Sequence, residues 1–188
     1  MTESEALQIF RDSGALLEGH FSLRSGLRSR QFFQCALALQ SMPTVEKLGA
    51  AVAEKVRPLG AVTVIAPAMG GLVIGQEVAR QLRVRFIFVE KEERKLVLRR
   101  GFKIAPGEKI LVVEDVVTKG GRAQETIDIV RAHGGVVLGV AMVVDRSNGA
   151  ANLGVPLFSV IQLNVETFHP DQLPSDLAAL PPVKPGSK

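Results

Sequence analysis

Two adjacent carboxylates, Glu114 and Asp115, follow a run of four apolar residues, Ile110 to Val113. The next six residues add a hydroxyl, a cation and two glycines, and from Arg122 onwards the apolar residues recur with helical spacing. Backbone N–H groups at the start of a helix bind phosphate, particularly where glycine leaves them unobstructed. Carboxylates beside such a site suit the hydroxyls of a sugar. This stretch therefore predicts a site for a sugar phosphate.

A second glycine-bearing turn has the sequence PAMGGLVIG and follows another apolar run. Gly70 and Gly71 stand where the next helical pattern begins, and Ala68 precedes them. Taken alone, the two glycines are equally well explained by a tight turn between a strand and a helix. Ligands of open α/β sheets lie at the carboxyl ends of strands, so this turn can supply a second phosphate site at the same edge.

The elements that must position these turns are predicted by four apolar runs separated by helical patterns. The runs are residues 62–66, 84–89, 110–113 and 136–144, with helical segments at 72–83 and 122–133. Unbroken Val and Ile runs in this order predict an α/β fold with a parallel sheet covered on both faces. Elsewhere, a capping box of Thr2 and Glu5 predicts an N-terminal helix, residues 14–40 suggest short strands or extended chain, and residues 44–58 suggest a helix.

The composition predicts one soluble domain, since 188 residues with 46% hydrophobic content can bury a sizeable core. We divide it into an N-terminal hood at residues 1–42, a core at 43–165 and a tail at 170–188. No apolar run reaches the roughly 18 residues that span a bilayer, and the polar N-terminus does not resemble a secretory signal. The lone cysteine, Cys35, is expected to be a buried packing residue, and the expected compartment is the cytoplasm.

The net charge of +4 is concentrated in two clusters, Arg24 to Arg30 and Lys91 to Lys103. Such clusters fit a small polyanion at least as well as nucleic acid, and we expect neither nucleic acid nor membrane as a partner. The second cluster lies in a polar stretch, residues 90–107, whose length predicts a mobile functional loop or a flexible hairpin. The tail holds five of the ten prolines and is expected to pack loosely or fray.

The order of strand, acidic pair, Thr118 and paired glycines resembles the phosphoribosyl pyrophosphate (PRPP) motif of type I phosphoribosyltransferases; the P-loop spacing is absent. The resemblance implies that family's fold, a mainly parallel central sheet flanked by helices, with a small N-terminal hood and a flexible basic loop. It assigns catalytic roles to Glu114, Asp115, Lys91 and Arg94. The residues that it assigns to PRPP are Ala68, Gly70, Lys91, Arg94, Glu114, Asp115, Val116, Val117, Thr118, Lys119, Gly120, Gly121 and Arg122.

The acceptor is indicated by a second resemblance. Residues 19–29, GHFSLRSGLRS, look like the N-terminal segment of orotate phosphoribosyltransferases, and the sequence VVDRS at 143–147 matches the place where that family has an arginine after an aspartate. A guanidinium binds a carboxylate through two parallel hydrogen bonds, which suits Arg146 to the carboxylate of orotate. The residues that the resemblance assigns to orotate are Arg24, Phe32, Phe33, Thr118 and Arg146.

The family resemblance implies transfer of 5-phosphoribosyl from PRPP to orotate, giving orotidine 5′-monophosphate and pyrophosphate. It implies Mg²⁺ as the cofactor, held mainly through PRPP and with no direct protein ligand. It also implies a homodimer in which the basic loop completes the neighbouring site. Two alternatives remain open from the residues: a phosphoribosyltransferase for another nucleobase, and a non-catalytic regulator that senses PRPP.

The chain departs from the family pattern at five positions. Gly121 replaces a common hydroxyl residue, Arg24 replaces a common lysine, and Gly70 stands where some members have a lysine. In the basic loop, Glu90 replaces a cation and Leu96 replaces a histidine, which puts in doubt any mechanism that requires that histidine. Arg99, Arg100 and Lys103 are candidates to replace the missing charge. The chain's own histidines are expected to be structural, with His133 capping a helix end and His20 supporting the hood.

Overall fold

The computed structural model describes residues 1–23 and 25–185. Its helices are α1 (Glu3–Asp12), α2 (Cys35–Leu39), α3 (Met42–Val56), α4 (Gly70–Leu82), α5 (Gly121–Ala132) and α6 (Ser175–Ala178), with a 3₁₀ turn at Arg57–Leu59. Its strands are β1 (Leu16–Ser22), β2 (Arg28–Phe33), β3 (Thr63–Pro67), β4 (Arg85–Glu92), β5 (Lys95–Leu98), β6 (Lys109–Val117), β7 (Val136–Asp145), β8 (Leu157–Gln162) and β9 (Thr167–Phe168). Arg24, which the resemblance assigns to orotate, lies outside the described residues.

Six strands form the central sheet, in the order β5-β4-β3-β6-β7-β8. Neighbouring strands are parallel except β4 and β5, which are antiparallel. The predicted α/β fold with a mainly parallel sheet is confirmed, and the four predicted strands are β3, β4, β6 and β7. Strand β8 was not predicted, because two of its six residues are buried and it lacks the unbroken apolar run of a central strand.

Strand β6 joins the two layers of the core. Leu111 and Val113 pack with α1 to α4 on one face of the sheet, whereas Ile110 and Val112 pack with α5 on the other. All four side chains are fully buried, and burial of each contributes about 1.5–3 kcal/mol to stability. The strand is therefore fixed on both faces up to Glu114, its first polar residue after Lys109.

The hood is a separate three-stranded antiparallel sheet in the order β1-β2-β9. Strands β1 and β2 pair from Leu16 and Phe33 to Ser22 and Arg28, with an irregularity between Glu18 and Phe21. The expectation of short strands in residues 14–40 is confirmed, although residues 35–39 form a helix. The predicted capping box of α1 is also present.

Part of the tail packs against the hood, so the expectation of a loose tail is wrong for residues 176–183. The Val183 N–H donates to the carbonyl of His20 at 2.8 Å, and the Ser22 N–H donates to the carbonyl of Val183 at 2.8 Å. The side chain of Leu177 is 1% exposed. The number of prolines was misleading as a sign of a loose tail. Val183, which lies among them, has both a backbone N–H and a carbonyl, and it pairs beside β1.

A cluster of charges fastens the tail to β2. Arg30 donates from Nε and Nη2 to the two carboxylate oxygens of Asp176, at 2.9 and 3.0 Å, and from Nη1 to Glu166 at 2.8 Å. Its guanidinium also lies 4.8 Å from the centre of the Phe168 ring. Exposed ion pairs contribute little singly, but a bidentate pair within a network has the geometry that contributes most.

The basic stretch forms a β-hairpin in its first half. Strand β4 continues to Glu92, a turn follows in which Glu93 has a φ of 53°, and β5 begins at Lys95. Of the two predicted forms, a loop and a hairpin, the hairpin is therefore the one present at residues 85–98. Within the described ranges, no helix is long and apolar enough to cross a membrane.

Leu177→Ala is predicted to destabilise the protein by about 2–5 kcal/mol, because it removes a fully buried side chain of the tail that lies beside the hood. Urea denaturation measures this difference. Leu180→Ala is the matched control, since that side chain is 49% exposed and its loss should change stability by less than about 0.5 kcal/mol. Equal effects from the two variants would contradict a packed tail.

Candidate active site

The acidic pair lies at the carboxyl end of β6, as predicted. Glu114 is 7% exposed and Asp115 is half-buried. The Oδ1 atom of Asp115 accepts a hydrogen bond of 2.8 Å from the N–H of Val116. The corner is thus formed by two carboxyl groups that are largely removed from water and still have free oxygen lone pairs.

Burial is the main influence on the acidity of this pair. Burial, followed by the neighbouring negative charge of Asp115, raises the pKa of Glu114 to about 8. Burial also raises the pKa of the Asp115 carboxyl. Without a ligand, Glu114 therefore holds a proton through much of the neutral range. A cation or a set of hydroxyl donors would favour its ionised form.

The second glycine turn lies directly against this acidic corner. A Cβ atom on Gly70 would lie 2.7 Å from Oδ1 of Asp115, and one on Gly71 would lie 2.9 Å from the carbonyl of Val113. Real Cβ atoms do not approach other atoms so closely, so only glycine allows the first turn of α4 to pack here. The carboxylate of Asp115 occupies the space that a larger residue at position 70 would need.

The predicted phosphate loop borders a cavity of about 330 Å³ at the start of α5. Gly120 has a φ of 76°, and a Cβ atom there would lie 2.8 Å from a methyl group of Leu153, so this position requires glycine twice over. A Cβ atom on Gly121 would meet nothing within 4 Å, so the missing hydroxyl side chain has no steric cause. The cavity is lined by Glu114, Val116, Val117, Thr118, Gly120, Gly121, Arg122, Ala123 and Glu125.

The structure thus brings most of the residues assigned to PRPP together at one sheet edge. Glu125, which sequence reasoning missed, also lines the cavity and pairs with Arg122 at 3.0 Å. The spacing of three residues on a helix after Arg122 was the signal that could have found it. Lys119 is exposed beside the loop and does not line the cavity.

Arg146 begins the loop after β7 and is joined to the phosphate loop through its backbone. Its N–H donates to the carbonyl of Val117 at 2.8 Å. Its Nε atom is buried without a hydrogen-bond partner in the described part of the chain, and burial lowers the pKa of the guanidinium. The carboxylate of Asp145 instead accepts from the N–H of Ser147 at 2.8 Å. Arg146 therefore has an unused buried donor beside the phosphate loop.

The paired aromatic residues differ in their surroundings. Phe33 is buried and packs edge-to-face on Phe10, with ring centres 5.0 Å apart. Phe32 is half-buried and lies 5.9 Å from Phe21. The Phe33 ring is therefore part of the core beneath the hood, and the assignment of both rings to orotate stays a prediction.

The basic hairpin divides its cations into paired and unpaired groups. Glu90 binds Arg100 at 2.9 Å, and Arg99 binds Glu92 at 3.0 Å. These two arginines therefore neutralise carboxylates of the hairpin itself. Lys91 and Arg94 are exposed, and the described ion pairs include neither of them, so both remain for a ligand, as do Lys95 and Lys103.

The histidines have structural surroundings, as expected. His133 ends α5, and its Nδ1 lies 2.8 Å from the carbonyl of Ile129. His20 is buried, with Nδ1 2.8 Å from the carbonyl of Leu180. Cys35 is buried, as predicted. Among residues 1–23 and 25–185, no group of three His, Cys, Asp or Glu side chains is arranged to hold a metal ion.

Comparison with known proteins identifies the family. The model of the phosphoribosyl transferase domain matches residues 38–171. An orotate phosphoribosyltransferase from Desulforamulus reducens is 49% identical over 188 residues, which cover 100% of this chain and 98% of that protein. The chain belongs to the orotate phosphoribosyltransferase family.

Solved structures agree with this family assignment. The crystal structure of an orotate phosphoribosyltransferase from Aeropyrum pernix has a TM-score of 0.70 and 28% identity, covering 83% of this chain and 92% of that one. An adenine phosphoribosyltransferase from Rhodothermus marinus has a TM-score of 0.68 at 21% identity, covering 86% of this chain and 100% of that one. The fold is thus shared with an enzyme named for another base.

In this member of the orotate phosphoribosyltransferase family, Glu114→Gln is predicted to change the pH dependence of stability. A carboxyl group whose pKa is about 8 when folded and 4.5 in its ordinary state binds its proton more tightly in the folded chain. Its stabilising contribution is complete below about pH 4.5 and is lost as the pH rises towards 8. The free energy of unfolding of the variant, minus that of the wild type, should therefore increase between pH 5 and pH 8.

Urea denaturation of the ligand-free protein at pH 5 and pH 8 measures this difference. Glu54→Gln, on the exposed side of α3, is the control for loss of one charge. If the free energy of unfolding of the variant minus that of the wild type were the same at both pH values, a raised pKa at Glu114 would be contradicted.

Proposed function

We propose that this chain catalyses the transfer of 5-phosphoribosyl from PRPP to orotate, releasing pyrophosphate and orotidine 5′-monophosphate. The observation that carries the choice of orotate is the buried, unpartnered Nε of Arg146, a residue whose backbone N–H donates to Val117 at the phosphate loop. An arginine donor buried without a partner is unfavourable, and a ligand carboxylate would satisfy it. The name and 49% identity of the Desulforamulus reducens relative support the same activity.

The 5′-phosphate of PRPP would bind at the start of α5. Gly120 and Gly121 leave the first backbone N–H groups of the helix open, and the helix dipole favours an anion at this end. Thr118 lines the same cavity and can donate its hydroxyl. Arg122 also lines the cavity, but its guanidinium is paired with Glu125, so the backbone N–H groups and Thr118 would supply the phosphate contacts that a hydroxyl at position 121 would otherwise share.

The acidic corner would hold the ribose. Glu114 and Asp115 can accept hydrogen bonds from the 2′- and 3′-hydroxyls, because Glu114 lines the cavity and Asp115, the next residue, uses only Oδ1 in its described hydrogen bond. As pyrophosphate departs, positive charge develops at C1′ of the ribose. Carboxylates fixed at the end of a rigid strand are already oriented to stabilise that charge, without reorganisation at the moment of reaction.

Mg²⁺ fits the chemistry of this corner, since Glu114 and Asp115 offer carboxylate oxygens, the ligands that this ion prefers. When bound with PRPP, largely through substrate oxygens and water, it supplies positive charge that offsets charge on the leaving pyrophosphate. The first turn of α4 reaches the corner through Gly70 and Gly71, and its backbone N–H groups point towards the same edge. Together with Ala68, this turn would bind the pyrophosphate.

Lys91 and Arg94 would bind the leaving group from the basic hairpin. Both are exposed and outside the hairpin's own ion pairs, so both can pair with a polyphosphate. Covering the site would also exclude water, which competes with orotate for the ribosyl group. We extend the proposal to a homodimer in which this hairpin completes the neighbouring site, and to a cytoplasmic location, with which the single buried cysteine agrees.

Orotate-dependent release of pyrophosphate from PRPP is the experiment that tests the function. The purified protein should release pyrophosphate with orotate and Mg²⁺, and should not do so with adenine, xanthine or uracil in its place. Release with another base and not with orotate would overturn the proposed acceptor. Binding of PRPP without release with any base would favour the non-catalytic sensor.

Asp115→Asn is predicted to lower turnover by well over about tenfold, because it removes a negative charge positioned for the cation that forms at C1′. Steady-state kinetics at saturating PRPP and orotate measure the effect. Asp128→Asn, a charge loss on the exposed side of α5, should leave turnover nearly unchanged. Near-normal turnover of Asp115→Asn would remove Asp115 from the catalytic group.

Arg146→Ala is predicted to raise the KM for orotate by about tenfold or more, while the KM for PRPP changes by less than about twofold. Arg146→Lys should lie between the wild type and the alanine variant, because lysine keeps the charge but lacks the two-pronged geometry. An equal rise in both KM values would place Arg146 outside the orotate site.

A further inference from the structure

The basic hairpin, residues 89–98, lies on helix α5. The side chain of Leu96 is 6% exposed and belongs to the buried cluster that contains Ala123 and Ile127 of α5. Leu96 stands where relatives of the family have a histidine. In this chain the position is therefore occupied by an apolar residue that fixes the hairpin to the helix, and not by a residue that can transfer a proton.

A polar contact reinforces the apolar one. The carboxylate of Glu125 on α5 accepts a hydrogen bond of 3.2 Å from the backbone N–H of Leu96. The same carboxylate binds the guanidinium of Arg122 at 3.0 and 3.2 Å. Glu125 therefore connects the wall of the phosphate cavity to the hairpin.

The position held in this way also determines where Lys91 lies. Lys91 and Leu96 are directly opposite each other in the antiparallel ladder of β4 and β5. Directly opposite residues project from the same face of such a pair. The side chain of Lys91 therefore projects from the same face of the hairpin as that of Leu96, the face that packs on α5.

We propose that Glu125 is a positioning residue that holds the backbone of Leu96, and through it Lys91, in the place from which the hairpin binds PRPP. The Lys91 part of this inference rests on the proposed function. The burial of Leu96 and the Glu125 hydrogen bond together hold the hairpin on α5. Glu125 does not contact the reacting atoms.

Two substitutions of Glu125 separate its two contacts. Glu125→Gln keeps an oxygen that accepts from the N–H of Leu96 but removes the charge that binds Arg122. Glu125→Ala removes both contacts. The difference between the two variants therefore reports the hydrogen bond to Leu96. Both variants lose the charge that binds Arg122, so any gain in phosphate affinity from a released Arg122 occurs in both and cancels in the comparison. Asp128→Ala, on the same helix, is the control for loss of an acidic side chain.

Hydrogen exchange of the ligand-free protein is the first measurement. The Leu96 amide should exchange about tenfold faster in Glu125→Ala than in Glu125→Gln, because only the former lacks an acceptor. Asp128→Ala should match the wild type. Equal exchange rates in the two Glu125 variants would overturn the anchor. This measurement uses no substrate, so it stands even if the proposed transfer from PRPP to orotate fails.

Kinetics with PRPP and orotate provide the second measurement. The KM for PRPP should be several-fold to about tenfold higher in Glu125→Ala than in Glu125→Gln, with the KM for orotate within about twofold. An equal rise in both KM values, or none in either, would overturn the positioning role. Absence of orotate-dependent turnover in the wild type would overturn the proposed function instead, while the exchange result would still decide whether the anchor exists.

Discussion

Two carboxyl groups lie side by side in the last four residues of strand β6, and the geometry of the site depends on how closely the chain packs around them. Glu114 and Asp115 are largely removed from water, and the first turn of α4 packs against them so closely that only glycine fits. Burial raises the pKa of both groups, so the ligand-free corner is unfavourable for charge. A ligand that brings positive charge and hydroxyl donors would relieve that cost.

The fold could be predicted where the local sequence is decisive. Residues 110–113 are buried on both faces of the sheet, so their strand is visible as an unbroken apolar run, and the capping box of Thr2 and Glu5 acts within one helical turn. Strands β5 and β8 could not be predicted in the same way, because each lies at an edge of the sheet and depends on its partner. The tail was misjudged for a similar reason: Val183 pairs with a strand that is distant in sequence, and proline content carries no information about that partner.

The same distinction, between local sequence signals and partners distant in sequence, applies to the candidate site. Its loops could be predicted because glycine, threonine and acidic residues are required there in a fixed order, and the family resemblance added their roles. The sequence could not indicate that Phe33 is buried against Phe10, or that the Nε of Arg146 has no partner among the described residues. From the sequence, Leu96 could be recognised only as the replacement of a histidine, whereas the structure shows that its side chain makes a buried contact with α5. These properties depend on tertiary neighbours, which residue type and spacing do not specify.

The attachment of the hood to the tail has a consequence for the order in which the protein can be completed during synthesis. The first two hood strands are translated well before their tail partners, since His20 contacts a residue 160 positions later, and Arg30 contacts one 146 positions later. Contacts of such separation form late, because a long loop must close first. The hood must therefore remain incomplete until the tail residues that contact it have been translated. The nascent chain can assemble its central sheet first, and it gains its finished hood afterwards.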